Sequence, residues 1–411
     1  MDRRVALTGV AVCLASLAMP LPATGQSDTQ RPPEQGATAS RAAELVRQQE
    51  EKAAQVKPLG PNKAEAIVIR LQRTGVLTGF PTGFYPWFGS VLGGGGFAAG
   101  GGWRDRVGTG SIFNVLAGWS IANYKLLQTG LTRSFADGRR RIALDAKWID
   151  APDVNFYGIG NDTREAALTS YLYNPTRVGG SAEFGLSRFV SIGGGAEYLD
   201  VDSGPGDGSP PIDAVFTPDE VPGLNASADY GIGRVFAAFD WRDRPDNTRR
   251  GGLYRVEWIH HASQTSAFDN FQQVEIDLRQ SIPLVRENWV IALRSLITLS
   301  ERDSDAVVPF FMLPYLGSGG TLRGYPTRRF IDHNTLLMQA EFRWLPSRFV
   351  DMAFFYDAGK VAAARGDLDF NDLHTDGGVG IRFHGPRLMV FRLDVAKGAE
   401  GLRFVWATTL F

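Results

Sequence analysis

The feature that most constrains this chain is alternation. In "YRVEWI", Tyr254, Val256 and Trp258 fall on one side of an extended segment, with Arg255 and Glu257 on the other. A period of two is that of a β-strand, whose successive side chains point to opposite faces. "QVEIDLR" sets Val274, Ile276 and Leu278 against Glu275, Asp277 and Arg279. "LLMQAEFRW" sets Leu336, Met338, Ala340, Phe342 and Trp344 against Gln339, Glu341 and Arg343. In "VDMAFFYDAG", Val350, Met352, Phe354 and Tyr356 oppose Asp351, Ala353, Phe355 and Asp357. "MVFRLDV" places Met389, Phe391, Leu393 and Val395 opposite Arg392 and Asp394.

A soluble sandwich alternates too, with its apolar face inward. These strands are long, roughly ten residues, and each has one aliphatic-aromatic face and one ionic face, which is the pattern of a barrel with lipid outside and a polar lumen. Trp258, Trp344 and Tyr356 fall near strand ends, where an interfacial girdle would place them. After the N-terminal leader no apolar run reaches the ~18 residues that a spanning helix needs. The expected fold class is all-β: a sixteen-stranded antiparallel transmembrane β-barrel, its first strand at 93–103, its eleventh at 307–313 and its last at 402–411.

Arg3 and Arg4, the apolar "VALTGVAVCLASLAMPL" and the small residues Ala23–Gln26 have the form of a signal peptide over 1–25. An N-terminal membrane anchor is the competing reading of the same run. Cys13, the only cysteine, lies inside the apolar stretch behind Val12, which is not the small residue that a lipidation site wants. A mature chain then has no thiolate for a disulfide or a metal site. Residues 26–85 read as a periplasmic linker, partly helical over "ASRAAELVRQQEEKAAQV" with Ser40 as cap, or disordered. The barrel is expected over 86–411. A net charge of −1 disfavours nucleic acid as partner.

One segment breaks the pattern. "GSGGTLRGYPTRRF" (317–330) is basic and glycine-rich, as a solvated loop would be, yet it sits between apolar runs. Its "LRGY" (Leu322, Arg323, Gly324, Tyr325) resembles the (V/I/L)RG(F/Y) motif of the BamA/TamA superfamily, the bacterial surface antigen barrels. "FYGIGND" (156–162), "DWRDRPDNTRRGG" (240–252), "EFRW" (341–344), "FYDAG" (355–359) and "DGGVGIRF" (376–383) resemble pieces of the same family in the same order. So does a terminal strand ending at Phe411, which resembles the signal read for insertion by an outer-membrane assembly machinery. The resemblance spans about residues 85–411.

The resemblance implies a loop after strand eleven that folds into the lumen, with its arginine on wall carboxylates. Strand phase independently puts Glu341 and Asp357 on the ionic face, so Arg323 has one or both as partners. Gly324 would let the backbone turn closely, and Tyr325 would pack on the wall. Arg328 and Arg329 stay unplaced and are expected to face water. Family members that assemble or secrete proteins carry periplasmic POTRA domains. Residues 26–85 are too short for one and lack its strand-helix-helix-strand-strand pattern, which puts client capture of that kind in doubt.

Other chemistry is weak. "GGGGFAAGGG" (93–102) lacks the lysine and hydroxyl of a phosphate loop; its glycines leave room for the inward loop or loosen the seam between first and last strands. In "HHASQ", His261 and Ser263 share a face as in an outer-membrane lipase, but that face is the lumenal one and no third group orients the histidine. His333, His374 and His384 show no metal-ligand spacing. The expectation is therefore a non-enzymatic bacterial outer-membrane barrel, without catalytic residues, metal or cofactor. It would be surrounded by outer-membrane lipids and would act in membrane biogenesis, protein or lipid export, or gated passage. A diffusion porin, a surface antigen and a membrane lipase are the alternatives.

Overall fold

The computed structural model describes residues 82–407 apart from 136–137, 209, 246, 286–287, 304, 348 and 385–388. The expected signal peptide, almost all of the linker and Phe411 lie outside the described residues. The first half of the sheet is β1 (Gly83–Gly89), β2 (Ala98–Arg106), β3 (Ser111–Ser120), β4 (Lys125–Ser134), β5 (Arg140–Phe156), β6 (Thr169–Gly185), β7 (Val190–Pro205) and β8 (Ala228–Asp240). It continues with β9 (Gly251–Ser263), β10 (Phe271–Val285) and β11 (Trp289–Glu301). Two short strands, β12 (Tyr315–Leu316) and β13 (Phe330–Ile331), pair only with each other. The sheet resumes with β14 (Asn334–Ser347), β15 (Val350–Ala362), β16 (His374–His384), β17 (Met389–Gly398) and β18 (Gly401–Ala407).

Sixteen of these strands form a single antiparallel sheet in chain order, curled into a nearly closed barrel. Among the described residues no ladder joins β1 to β18. The two edges meet through rings instead: Phe97, at the entry to β2, lies 5.6 Å from Trp406 of β18. The alternation maps directly onto the wall. On β15, Met352, Phe354 and Tyr356 are exposed outward, while Asp351, Ala353, Phe355 and Asp357 are buried inward. Outward Val256 and Trp258 and inward Glu257 repeat this on β9.

The number sixteen was legible in the sequence, but two members differ. The first strand is Gly83–Gly89, ahead of the expected start of the barrel at residue 86, and the expected first strand at 93–103 is the second, starting only at Ala98. Pro86 in "GFYPWFG" argues against a strand, since proline cannot donate to a ladder. It is tolerated because β1 is an edge, with a partner only on its β2 side. Residues 307–313 form no barrel strand. They make a 3-10 turn at Phe310–Met312 in the long loop, where Val308, Phe310, Phe311 and Leu313 are buried. A short apolar run does not by itself distinguish a strand from a buried loop. The eleventh strand is Trp289–Glu301, so the basic stretch does follow strand eleven.

Connections alternate between the two ends. One end has short turns, including residues 186–189 between β6 and β7. The other has the long excursions 157–168, 206–227 and 302–333. Above the wall the excursions build a compact apolar cap. Phe310 packs edge-on against Phe156 at 5.0 Å and Tyr171 at 4.8 Å, geometry in which aromatic pairs gain beyond their buried area.

The glycines near the seam make space for rings. A Cβ on Gly102 would stand 2.3 Å from the Tyr85 ring, and one on Gly118 would stand 2.5 Å from Trp87. A Cβ on Gly93 would stand 2.7 Å from Thr327 in the inward loop. Gly101 points into open space. Gly102→Ala is therefore expected to destabilise the folded barrel by roughly 1–3 kcal/mol, the cost of overpacking, whereas Gly101→Ala should be near neutral. The temperature at which the folded form loses its compact gel mobility measures both, and equal shifts would contradict this packing.

Candidate functional site: an arginine clasp in the lumen

The segment that reads as a solvated loop is buried. Leu322 and Arg323 are 0% exposed and Tyr325 is 3% exposed. The β12–β13 pairing, Tyr315 with Ile331 and Leu316 with Phe330, closes the base of the loop and directs its tip into the barrel. Leu322 and Tyr325 join Leu316, Phe330, Leu337 and Val361 in a small apolar cluster against the wall.

Arg323 sits at the centre. Its Nε donates to Asp357 Oδ2 at 2.6 Å and its Nη2 to Asp357 Oδ1 at 2.7 Å, a bidentate fork. Its Nη1 donates to Glu341 Oε1 at 2.5 Å. The guanidinium carbon lies 3.6 Å from the centroid of the Phe355 ring. Both carboxylates named by strand phase thus converge on one side chain, from neighbouring strands β14 and β15.

The sequence did not show how far the pairing extends. Arg382 on β16 donates to Glu341 at 2.7 Å and to Asp394 on β17 at 2.9 Å. Arg343 donates from Nε to Glu341 Oε2 at 2.7 Å. Arg392 lies 3.3 Å from Asp394 and donates to the Gly319 carbonyl of the loop. Arg323, Arg343, Arg382 and Arg392 thus meet Glu341, Asp357 and Asp394, all of them buried. Phase alone put Arg392 and Asp394 on the ionic face, but their convergence needs the curvature of the closed wall.

Gly324 has an ordinary negative φ; its smallness matters through approach. A Cβ there would stand 2.5 Å from Asp376 Cβ and 2.7 Å from the Gly398 nitrogen. Tyr325 donates its hydroxyl to the Thr375 carbonyl at 3.2 Å and accepts from the Ala399 amide at 3.4 Å. Gln339 donates to the loop carbonyl of Thr321 at 2.8 Å. From the other side, Arg294, held by Asp277 at 3.0 Å, donates to Gly320 at 3.2 Å.

Arg328 and Arg329 do not face water. Arg329 donates to Glu400 at 2.6 Å and to the Thr163 hydroxyl at 2.6 Å. Arg328 is 6% exposed and lies 4.6 Å from the Tyr315 ring centroid. Their burial comes from the "FYGIGND" excursion, which folds over the loop. Gly160 donates to the Ile331 carbonyl at 2.8 Å, and Asn161 accepts from the Val361 amide at 3.1 Å. The Asp-Arg-Asp turn supplies another clasp at the short-turn end, where Arg249 donates to both Asp351 oxygens, at 2.8 and 2.7 Å. These partners lie 102 residues apart, and no local pattern links them.

His261 and Ser263 do not form a catalytic pair. His261 Nε2 lies 3.2 Å from Gln273 Oε1, its ring stacks on Phe271 at 4.2 Å, and Ser263 Oγ donates to the Thr265 carbonyl at 3.0 Å. Among the described residues no group of three or more His, Cys, Asp or Glu side chains could hold a metal ion.

The family follows from this barrel and its inward arginine loop taken with sequence: residues 147–403 match the model of the Omp85 superfamily domain. The chain belongs to the Omp85 superfamily. Solved Omp85-like folds agree. The crystal structure of BamA from Haemophilus ducreyi lacking POTRA domains 1–3 aligns with a TM-score of 0.59 at 15% identity, covering 84% of this chain and 78% of that one. CdiB from Escherichia coli aligns with a TM-score of 0.56 at 11% identity over 80% of this chain and 62% of that one. CdiB from Acinetobacter baumannii gives 0.50 at 12% identity over 79% and 57%. This chain thus spans less than two thirds of either CdiB. No curated protein sequence matches it. Members of the Omp85 superfamily are bacterial outer-membrane proteins.

Removing one member of a buried ionic group leaves the others unpaired in a poorly solvated site. Arg323→Ala is expected to cost roughly 3–5 kcal/mol and to lower the temperature at which the folded band disappears on a gel. Arg323→Ala combined with Asp357→Asn should cost less than the sum of the single changes, since the two share an interaction. Additive losses would show that the fork contributes nothing of its own. Arg249→Ala should destabilise the folded band in the same assay through its loss from Asp351.

Proposed function

We propose that this chain is a non-enzymatic bacterial outer-membrane barrel that serves membrane biogenesis or the export of protein or lipid, with passage gated by its inward loop. The observation that carries the reading is the sealing of residues 317–330 in the lumen by Arg323 and its carboxylates. A diffusion porin keeps a water-filled channel, whereas a loop tied to β14, β15 and β17 by charge-assisted hydrogen bonds opposes free flow. The reading also draws on the Omp85 membership and on the BamA and CdiB folds.

The seam supports a lateral route. β1 is seven residues long, against 17 for β5 and β6. Among the described residues no ladder joins β1 to β18, so parting the wall there breaks few backbone hydrogen bonds. A polypeptide or lipid can leave into the membrane by such a route, which a closed porin lacks.

Recording in planar bilayers tests the gating. The native barrel is expected to give small, flickering currents, and Arg323→Ala larger and longer-lived openings. A large, steady conductance in the native protein would overturn the proposal in favour of the diffusion porin. Native and Arg323→Ala barrels with identical currents would remove the loop from any gating role.

A further inference from the structure

The two rims of this wall carry opposite charge on their outward faces. At the short-turn end Arg133 of β4 stands across the ladder from Ile142, and Arg140 of β5 from Phe184. Directly paired residues share a face of the sheet, and Ile142 and Phe184 are exposed on the outward one. Arg133 and Arg140 are therefore outward, and both are exposed. Arg188, in the turn between β6 and β7, is exposed at the same rim. At the opposite rim Asp200 of β7 pairs across the ladder with Asp229 of β8. Asp200 and Asp202 share a face with outward Tyr198, at the strand spacing of two.

Each of the three arginines lies on a ring. The guanidinium carbons of Arg133 and Arg140 are 5.0 and 4.8 Å from the centroid of one ring, Phe135. That of Arg188 is 4.3 Å from the centroid of Phe189. A ring holds a guanidinium in place without neutralising its charge. Among the described residues Arg133 and Arg188 have no hydrogen bond or ion pair. Asp240, at the end of β8, is already taken by Arg242, at 2.9 and 2.7 Å. From 133 to 141 the sequence has four arginines and one acid, Asp137, which lies outside the described residues. The β4–β5 turn therefore keeps a positive excess.

The rings also mark a depth. Phe189, Phe239, Trp241 and Tyr254 follow one another ring to ring across this end, at 6.1, 4.7 and 4.7 Å. Such an aromatic girdle lies where hydrocarbon meets headgroups. Exposed Ile142, Leu144 and Ile192 continue the outward face away from the rim. The arginines thus stand at headgroup level over an apolar wall.

We infer that the outward short-turn rim of β4 to β7 is a docking surface for acidic phospholipids of the adjoining leaflet. One phosphate meets Arg133 and Arg140 at Phe135, and another meets Arg188 at the next turn, with acyl chains along the apolar wall. Two guanidiniums gathered on one ring repel each other; a phosphate that accepts from both offsets the repulsion. A zwitterionic headgroup brings its own cation to the same place and loses that gain. The acids of the opposite rim repel the same lipid, so the preference belongs to one leaflet. The inference rests on the barrel's lying in a membrane and not on what passes through its lumen.

The test is lipid retention by the full chain, refolded and equilibrated in mixed micelles with phosphatidylglycerol, phosphatidylcholine or phosphatidylethanolamine of matched acyl chains, and read by native mass spectrometry. Phosphatidylglycerol is expected to be retained several-fold better than either zwitterion. Arg133→Gln and Arg188→Gln should each lower that retention roughly five-fold, the attraction of one arginine to an anionic surface, and the double change should lower it further. Phe135→Leu should weaken retention with no change in net charge, and Val235→Ala, outward on β8, should change nothing. Equal retention of the three lipids would overturn the inference. So would retention indifferent to the double change, which would leave these arginines to an acidic protein surface. Conductance of the same preparations reports gating separately, so failure here leaves the gating result standing.

Discussion

A guanidinium taken out of water is the constraint on which the rest of this barrel depends. Arg323 is fully buried, and desolvating an unpaired ion is prohibitive. The cost is offset only if carboxylates stand where the loop delivers the charge. Asp357 and Glu341 do so because β14 and β15 turn their ionic faces inward. Those carboxylates are themselves buried, so each requires more than Arg323: Glu341 takes Arg343 and Arg382 as well, and Arg382 in turn draws in Asp394. The network grows outward from one arginine through shared carboxylates. Four adjacent strands, β14 to β17, are thereby tied together by side chains in addition to their ladders.

The same constraint explains why the loop needs a cover. Ionic pairs open to water contribute little; these are enclosed. The "FYGIGND" excursion supplies the enclosure through Gly160 and Asn161, and Arg329 fastens it by reaching Thr163 and Glu400 together. Gly324 is the one loop residue whose backbone touches the wall at Asp376 and Gly398, which is why a side chain has no room there. Tyr325 then completes, with a single hydroxyl, a piece of wall that β16 and β17 leave unzipped.

Much of this was legible in the sequence, for identifiable reasons. Strand phase is local, so Glu341 and Asp357 could be set on the lumenal face from a few residues each. The "LRGY" resemblance supplied the third partner, which no local pattern reaches from a loop. What stayed hidden depends on closure in three dimensions. Arg249 meets Asp351 across the short-turn end, and Arg329 meets Thr163, only after the chain has come round the barrel. The charge density of "LRGYPTRRF" suggested solvent because arginines usually seek it; here Arg323 and Arg329 are matched by acids from elsewhere, and Arg328 rests on rings. Pro86 concealed β1 because its tolerance follows from an edge position that a sequence does not announce. "VVPFF" suggested a strand because apolar burial, not alternation, is what it encodes.

The placement of these interactions makes the barrel mechanically uneven. Ionic links concentrate on β14 to β17, whereas β1 to β3 are lined by Gly100, Gly102 and Gly118 with Tyr85 and Trp87 fitted against the latter two. At the seam the described contact is a ring pair, Phe97 with Trp406, which lacks the directional hold of a ladder. Separating β1 from β18 would therefore leave the Arg323 clasp intact. The loop touches the seam side lightly, through Thr327 at Gly93 and Gly319 beside Val405. Under the proposed function, a lateral opening and a release of the loop would be separable events with different costs. The seam exchanges aromatic contacts for lipid contacts, while the loop must move a buried charge. Among the described residues, the proposed lateral opening would meet the weaker of the two barriers, and the arginine clasp would set the higher threshold.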